Sequence, residues 1–126
     1  MHIVLFLRDS TGDAPFEEVA RRVMARLPVS NIEERENSNY EGGNYFVGYA
    51  ANGRVEVCRS DGAQLERYPY WVILTDRGAR AGASGVLSEN PSVVATTIAK
   101  EGMEAFVPDG DWTKVDWSPS GATYRT

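Results

Sequence analysis

One histidine and one cysteine are all that this 126-residue chain holds of the side chains most used for proton transfer and nucleophilic attack near neutral pH. His2 lies beside the N-terminus and Cys58 lies inside an expected strand, so a Cys-His pair would require two distant positions to meet. An inert, packed thiol is the plainer account of Cys58. A lone cysteine also cannot close an internal disulfide, which suits a reducing compartment and makes the cytoplasm the expected location. Long apolar runs are missing as well. No window approaches the roughly 18 consecutive apolar residues that a membrane-spanning helix needs, and Met1 to Leu7 runs straight into Arg8-Asp9, so neither a membrane protein nor a secretory precursor is expected. Lysine is scarce, Lys100 and Lys114 being the only two among thirteen basic residues, a bias that carries no mechanism. Phosphate-binding signatures are missing too. Gly78, Gly82 and Gly85 are followed by no Gly-Lys-Ser or Gly-Lys-Thr, and Gly-x-Gly-x-x-Gly does not occur.

What is present fits a single domain spanning residues 1–126. A chain of this length that is 42% hydrophobic can form one real core and is too short to hide a second. Its formal charge of −5 opposes attraction to nucleic-acid phosphates, whose binding rests on cations displacing counterions. A basic protein is the better electrostatic partner.

His2 to Leu7 is an apolar run consistent with a central strand buried on both faces. After Pro15, the residues Phe16, Val19, Ala20, Val23, Met24 and Leu27 recur at helical spacing and define one apolar stripe. Glu17 and Glu18 precede Arg21 and Arg22 by one helical turn, which supports that helix, and Pro28 ends it. Ile32 to Tyr40 is compatible with an edge strand or a turn, and is taken as an edge strand. Asn52-Gly53 predicts a type I′ hairpin turn between Tyr45–Ala51 and Arg54–Ser60. If those two residues form the whole loop, Phe46 opposes Arg59, Gly48 opposes Val57 and Ala50 opposes Val55. Phe46, Ala50, Val55 and Val57 then lie against the helices, while Tyr45, Val47, Tyr49, Glu56 and Cys58 form the other side, a candidate binding surface if exposed.

Asp61-Gly62 marks another turn, and Tyr70 to Thr75 supplies a strongly apolar strand placed near the first. Arg77 to Gly85, rich in Gly, Ala and Arg without periodicity, predicts a mobile loop. Asn90-Pro91 has the cap and first-turn proline of a second helix that turns Val94, Ala95, Ile98 and Ala99 to the core, with Phe106 beyond. The tail from Pro108 alternates Trp112 and Trp117 with Asp109, Asp111 and Asp116, and could cover the sheet or add a last strand. The expected fold is α+β: an antiparallel or mixed sheet of about five strands with two helices packed on one face.

Carboxylates cluster at Glu33, Glu34, Glu36 and Glu41 and again at Asp109, Asp111 and Asp116, but neither group has the ligand spacing of a calcium loop. A solvated acidic face accounts for them better than a metal site or a glycosidase pair. No catalytic residue, metal ligand or cofactor is therefore nominated. The aromatics Tyr40, Tyr45, Tyr49, Tyr68, Tyr70, Trp71, Trp112 and Trp117 could stack bases, yet they are framed by acid where RNA-binding sheets are framed by cations. Tyrosine, tryptophan and arginine often carry protein interfaces, and rim carboxylates steer a basic partner.

The segment Glu34-Arg35-Glu36-Asn37-Ser38-Asn39-Tyr40-Glu41-Gly42-Gly43-Asn44-Tyr45-Phe46, the hairpin after it and Tyr68-Pro69-Tyr70-Trp71 resemble small bacterial immunity proteins of polymorphic or contact-dependent toxin systems. The resemblance covers Glu33 to Leu74. It implies inhibition by binding: occlusion of the active site of a cognate toxin, often a basic nuclease opposed by acid. Family residue roles do not transfer, so Glu34, Glu36, Tyr40, Tyr45 and Tyr49 are nominated as partner-binding from their own chemistry, with packing as the rival account of the tyrosines. The alternative is a small-molecule-binding or enzymatic domain with an aromatic, carboxylate-bearing cleft. A structural role in self-association through an edge strand is a third expectation.

Overall fold

A computed structural model describes residues 1–38, 41–60, 67–110, 113 and 120–125. Its elements run β1 (His2–Asp9), α1 (Phe16–Arg26), β2 (Ser30–Glu36), β3 (Glu41–Ala50), β4 (Gly53–Arg59), β5 (Tyr70–Thr75), α2 (Pro91–Ala99), β6 (Met103–Pro108) and β7 (Gly121–Tyr124). The strands form one seven-stranded sheet in the order β2-β3-β4-β5-β1-β6-β7, with every neighbouring pair antiparallel. The α+β class is as expected; the strand number is not. β6 and β7 extend the sheet beyond the expected five strands, with β1 inside it between β5 and β6.

Alternation along the strands sorts side chains to two faces. Ile3, Leu5 and Leu7 of β1, Val55 and Val57 of β4 and Val72 and Leu74 of β5 join one buried cluster with Val19, Ala20 and Val23 of α1 and Val94, Ala95 and Ile98 of α2. Both helices therefore cover the same face. The stripe on α1 buries the residues its spacing indicates, and α2 begins as its sequence implies, with Asn90 Oδ1 accepting from the Ser92 N–H and Pro91 at the start. Gly102, with φ +75°, follows α2 and lets the chain turn directly into β6.

The hairpin differs from expectation in register. Ala50 pairs with Gly53, leaving Ala51 and Asn52 as the loop, and Phe46 opposes Val57 rather than Arg59. Neither Asn52 nor Gly53 takes a positive φ. The Asn52 side chain instead donates to the Leu87 carbonyl (2.9 Å) and accepts from the Leu87 N–H (2.8 Å), while a Cβ on Gly53 would lie 2.2 Å from the Thr75 carbonyl oxygen. Asn52 is committed to the loop, and Gly53 is needed for the close approach of β5. The slip is two residues, so each side chain keeps its assigned face.

The segment expected to be mobile is tied down by its backbone. The Arg80 N–H donates to the Ala50 carbonyl at 3.0 Å, the Ala83 N–H to Arg80 at 2.9 Å, and the Gly85 carbonyl accepts from the Ala51 N–H at 2.7 Å. These bonds draw residues 80–87 over the hairpin tip.

On the face opposite the helices, Phe6 is fully buried, stacking on Trp71 and Phe106 at centroid distances of 6.2 and 6.1 Å, with Tyr68 against Phe106 at 5.6 Å. Cys58 and Val47 on the same face are also buried. This face is a second packed layer at its centre, not the exposed binding surface considered from the sequence. Glu104 borders it, 4% exposed, accepting from the Tyr68 hydroxyl at 2.5 Å, Arg67 at 2.9 Å and Arg125 at 2.6 Å. Burial works to raise the Glu104 pKa, but Tyr68, Arg125 and Arg67 together hold it below the usual range. Glu104→Ala is expected to cost about 2 to 3 kcal/mol in urea unfolding, because the buried Tyr68 hydroxyl loses its acceptor while the exposed arginines turn to water. A loss equal to that of a neutral surface substitution would contradict this account of the network.

Candidate functional site

β2 is an edge strand, and its pairing with β3 decides which nominated residues act together. Glu34 opposes Phe46 and Glu36 opposes Asn44, whereas Glu33 opposes Val47 and Arg35 opposes Tyr45. Directly opposed residues share a face. Phe46 packs with the helices, its ring 5.4 Å from that of Phe16, so Glu34 and Glu36 belong to the helical face, beyond the cover of α1. Tyr45 and Tyr49 belong to the other face. The nominated acids and rings are thus separated by the thickness of the sheet, and Tyr40 lies outside the described residues.

Tyr49 is 3% exposed, and its environment explains why. The Arg80 guanidinium lies 3.5 Å from its ring centroid, and Arg35 donates to its hydroxyl at 2.5 Å and to Glu33 at 2.8 Å. Arg80 also approaches Glu33 at 3.9 Å. A cation over an aromatic face is favourable when desolvated, so the rival account holds for Tyr49: it is a packing residue clamped by two arginines. The hydrogen bond from Arg35, with its charge and that of Arg80, holds the Glu33 carboxyl below its usual range despite some opposing desolvation. Tyr45, half-buried, sits opposite both Arg35 and Cys58.

Glu34 and Glu36 are exposed on the helical face and line an open depression of about 550 Å³ with Asn37, Gly42, Gly43 and Asn44. A long bulge shapes it. β3 and β4 pair at Glu41–Arg59 and resume at Tyr45–Cys58, leaving residues 42–44 looped out, with Gly42 and Gly43 at φ +75° and +81°. The Gly43 carbonyl accepts from the Asn37 N–H at 2.7 Å, and the Asn44 amide donates to Glu34 at 2.9 Å. Arg59 also donates to Asn44 and lies 4.2 Å from the centroid of the Phe16 ring. The nearby cations are therefore occupied: Arg59 by Asn44 and Phe16, Arg35 by Glu33 and Tyr49. No cation pairs with Glu34 or Glu36 among the described residues.

No family model, curated protein or solved structure matches this chain. What the margin can bind follows from its own charges and shape. Sequence reasoning nominated Glu34 and Glu36 but missed Asn44, Gly42 and Gly43, which build the depression, and Arg35 and Arg80, which claim Tyr49. The alternation Glu33-Glu34-Arg35-Glu36 was the available signal, since period two already divides it into Glu34/Glu36 and Glu33/Arg35.

The thiol and imidazole do not meet. His2 opposes Thr75 and Cys58 opposes Trp71, four residues apart along β5, or about 13 Å. Burial, aided by Glu56, pushes the Cys58 pKa up to about 12, which keeps the group a thiol at neutral pH. No helix among the described residues is long and apolar enough to cross a membrane.

Proposed function

We propose that the protein is a non-catalytic inhibitor that docks a cationic protein, of the immunity type, on the acidic margin formed by β2 and the β3 bulge. The observation that carries this is the unequal treatment of the sheet's carboxylates. Glu33, Glu56 and Glu104 are each paired with arginine, whereas Glu34 and Glu36 stand exposed without one among the described residues. Ile32, 49% exposed on the same strand, adds an apolar contact beside them. An apolar contact rimmed by unpaired acid suits a protein surface bearing lysine or arginine, and such a rim accelerates encounter with it. Tyr49 is withdrawn from the docking set because it is buried beneath Arg80. Of the aromatic cleft in the alternative reading, the Phe46 ring stands opposite Glu34 and packs on Phe16, whereas the rings of Tyr45 and Tyr49 lie across the sheet.

The test is titration calorimetry with the purified product of a neighbouring gene that encodes a basic toxin-like domain. A complex is expected whose affinity falls with added salt and drops at least about tenfold in Glu34→Lys/Glu36→Lys, since each reversal replaces attraction with like-charge contact. Both positions are exposed, so folding should be retained. No complex, or one indifferent to the double reversal, overturns the proposal.

A further inference from the structure

Besides its carboxylates, β2 offers a partner the peptide groups of its outer edge. The Asn37 N–H donates to the Gly43 carbonyl at 2.7 Å, in the same register that sets Arg35 against Tyr45 and Glu36 against Asn44. In an antiparallel ladder the N–H and C=O of one residue point to the same side, and those of the next residue point to the other. The peptide groups of Arg35 and Asn37 are therefore spent on β3, whereas those of Glu34 and Glu36 point away from it. β2 ends the sheet on that side, and neither glutamate has a backbone partner there among the described residues. No side chain of β2 belongs to the core, so its outer side carries no packing that a new strand would disturb.

The alternation that bares these peptide groups also sets the side chains beside them. Glu34 and Glu36 stand on one face, two residues or about 7 Å apart, so both carboxylates flank the open edge. Their charges choose the occupant. In a second copy paired antiparallel here through both peptide groups, Glu34 or Glu36 would meet a glutamate of its twin, and like charges directly opposed destabilise a pair. A strand with lysine or arginine at those positions gains opposed ion pairs instead.

We infer that β2 accepts an added antiparallel strand from its partner, with basic residues opposite Glu36 and Glu34 and an apolar residue two places further on, toward exposed Ile32. Read along the chain, that strand is basic-x-basic-x-apolar. Its backbone bonds to the peptide groups of Glu34 and Glu36, and its basic side chains meet their carboxylates. The x side chains fall on the face of Glu33 and Arg35, which pair with each other at 2.8 Å, so charge does not select them. The inference rests on the docking reading above and specifies which part of a cationic protein touches this chain.

The probe is a synthetic peptide, acetyl-Thr-Lys-Thr-Lys-Thr-Val-Thr-amide, titrated into the full chain and followed by amide NMR and hydrogen exchange. In the free protein the amides of Arg35 and Asn37 should exchange slowly and those of Glu34 and Glu36 fast. Saturating peptide should slow Glu34 and Glu36 at least about tenfold. The same peptide N-methylated at both lysines keeps every charge but loses the donors that face β2, and should bind at least about tenfold more weakly. N-methylation at the threonine between the lysines, whose amide faces water, should leave affinity near that of the parent. Absence of saturable binding, Glu34 and Glu36 amides left unprotected at saturation, or equal binding by the lysine-methylated peptide overturns strand addition. The two readings fail separately. A toxin domain that still responds to Glu34→Lys/Glu36→Lys while lysine methylation has no effect would mean docking by charge alone, whereas a peptide that adds to β2 with no toxin complex would sink the docking reading.

Discussion

Replacing Phe6 with alanine is expected to lower unfolding free energy by about 3 to 5 kcal/mol, the cost of emptying a fully buried aromatic site that cannot collapse. Phe6 is fully excluded from water and stacks between Trp71 and Phe106 on the face opposite α1 and α2. Its neighbours stand on β5 and β6, both hydrogen-bonded to β1, so the backbone cannot close around the void. For a domain whose total stability is of order 5 to 15 kcal/mol, the variant would approach unfolding at moderate temperature. Equilibrium urea unfolding measures the difference. A loss under about 1.5 kcal/mol would show that the second layer is loosely packed and contributes little.

Asp9→Ala is expected to cost about 3 kcal/mol at pH 7, and the penalty should fade in acid. The carboxylate closes the turn between β1 and α1, accepting from the Thr11 hydroxyl at 2.5 Å, from the Asp13 and Ala14 N–H groups at 3.2 Å each and from Arg22 at 3.1 Å. The Thr11 bond, then the two backbone N–H groups and Arg22, outweigh desolvation and hold the Asp9 pKa below its ordinary value of 3.8. A carboxyl that titrates lower when folded contributes stability that is complete above the unfolded pKa and disappears as pH falls through the folded one. Unfolding free energies of the wild type and the variant should therefore differ most near neutrality and converge below about pH 3. Glu104, held low by Tyr68, Arg125 and Arg67 against its burial, leaves a remaining acid sensitivity in the variant. A gap that stays constant with pH would show that Asp9 acts by shape rather than by charge.

The local patterns in the chain were the legible part. The stripe from Phe16 to Leu27, the Asn90-Pro91 start of α2 and the division of the hairpin into two faces each depend on neighbours a few residues apart, and each appears in the fold. β6 was missed because Met103 to Pro108 follows α2 at once, so Phe106 was placed only as an apolar residue beyond the helix; the positive φ of Gly102 separates the two elements. The candidate site was half visible. Glu34 and Glu36 could be chosen from charge alone, but separating them from Tyr45 and Tyr49 required the β2–β3 register, which follows from no local turn signal. The partners of Asp9 and Glu104 were hidden for a related reason: Arg22, Arg67 and Arg125 reach those acids only once the chain has folded.

The position of β1 bears on how the chain emerges during synthesis. This strand comes first and contains some of the most apolar sequence in the molecule, yet its flanking partners begin only at residues 70 and 103. While the ribosome makes the intervening stretch, both hydrogen-bonding edges of Ile3 to Leu7 are bare, a condition that favours intermolecular sticking and slow closure of distant contacts. Once β5 and β6 have arrived, the same strand becomes the seam joining the β2–β5 side of the sheet to β6 and β7.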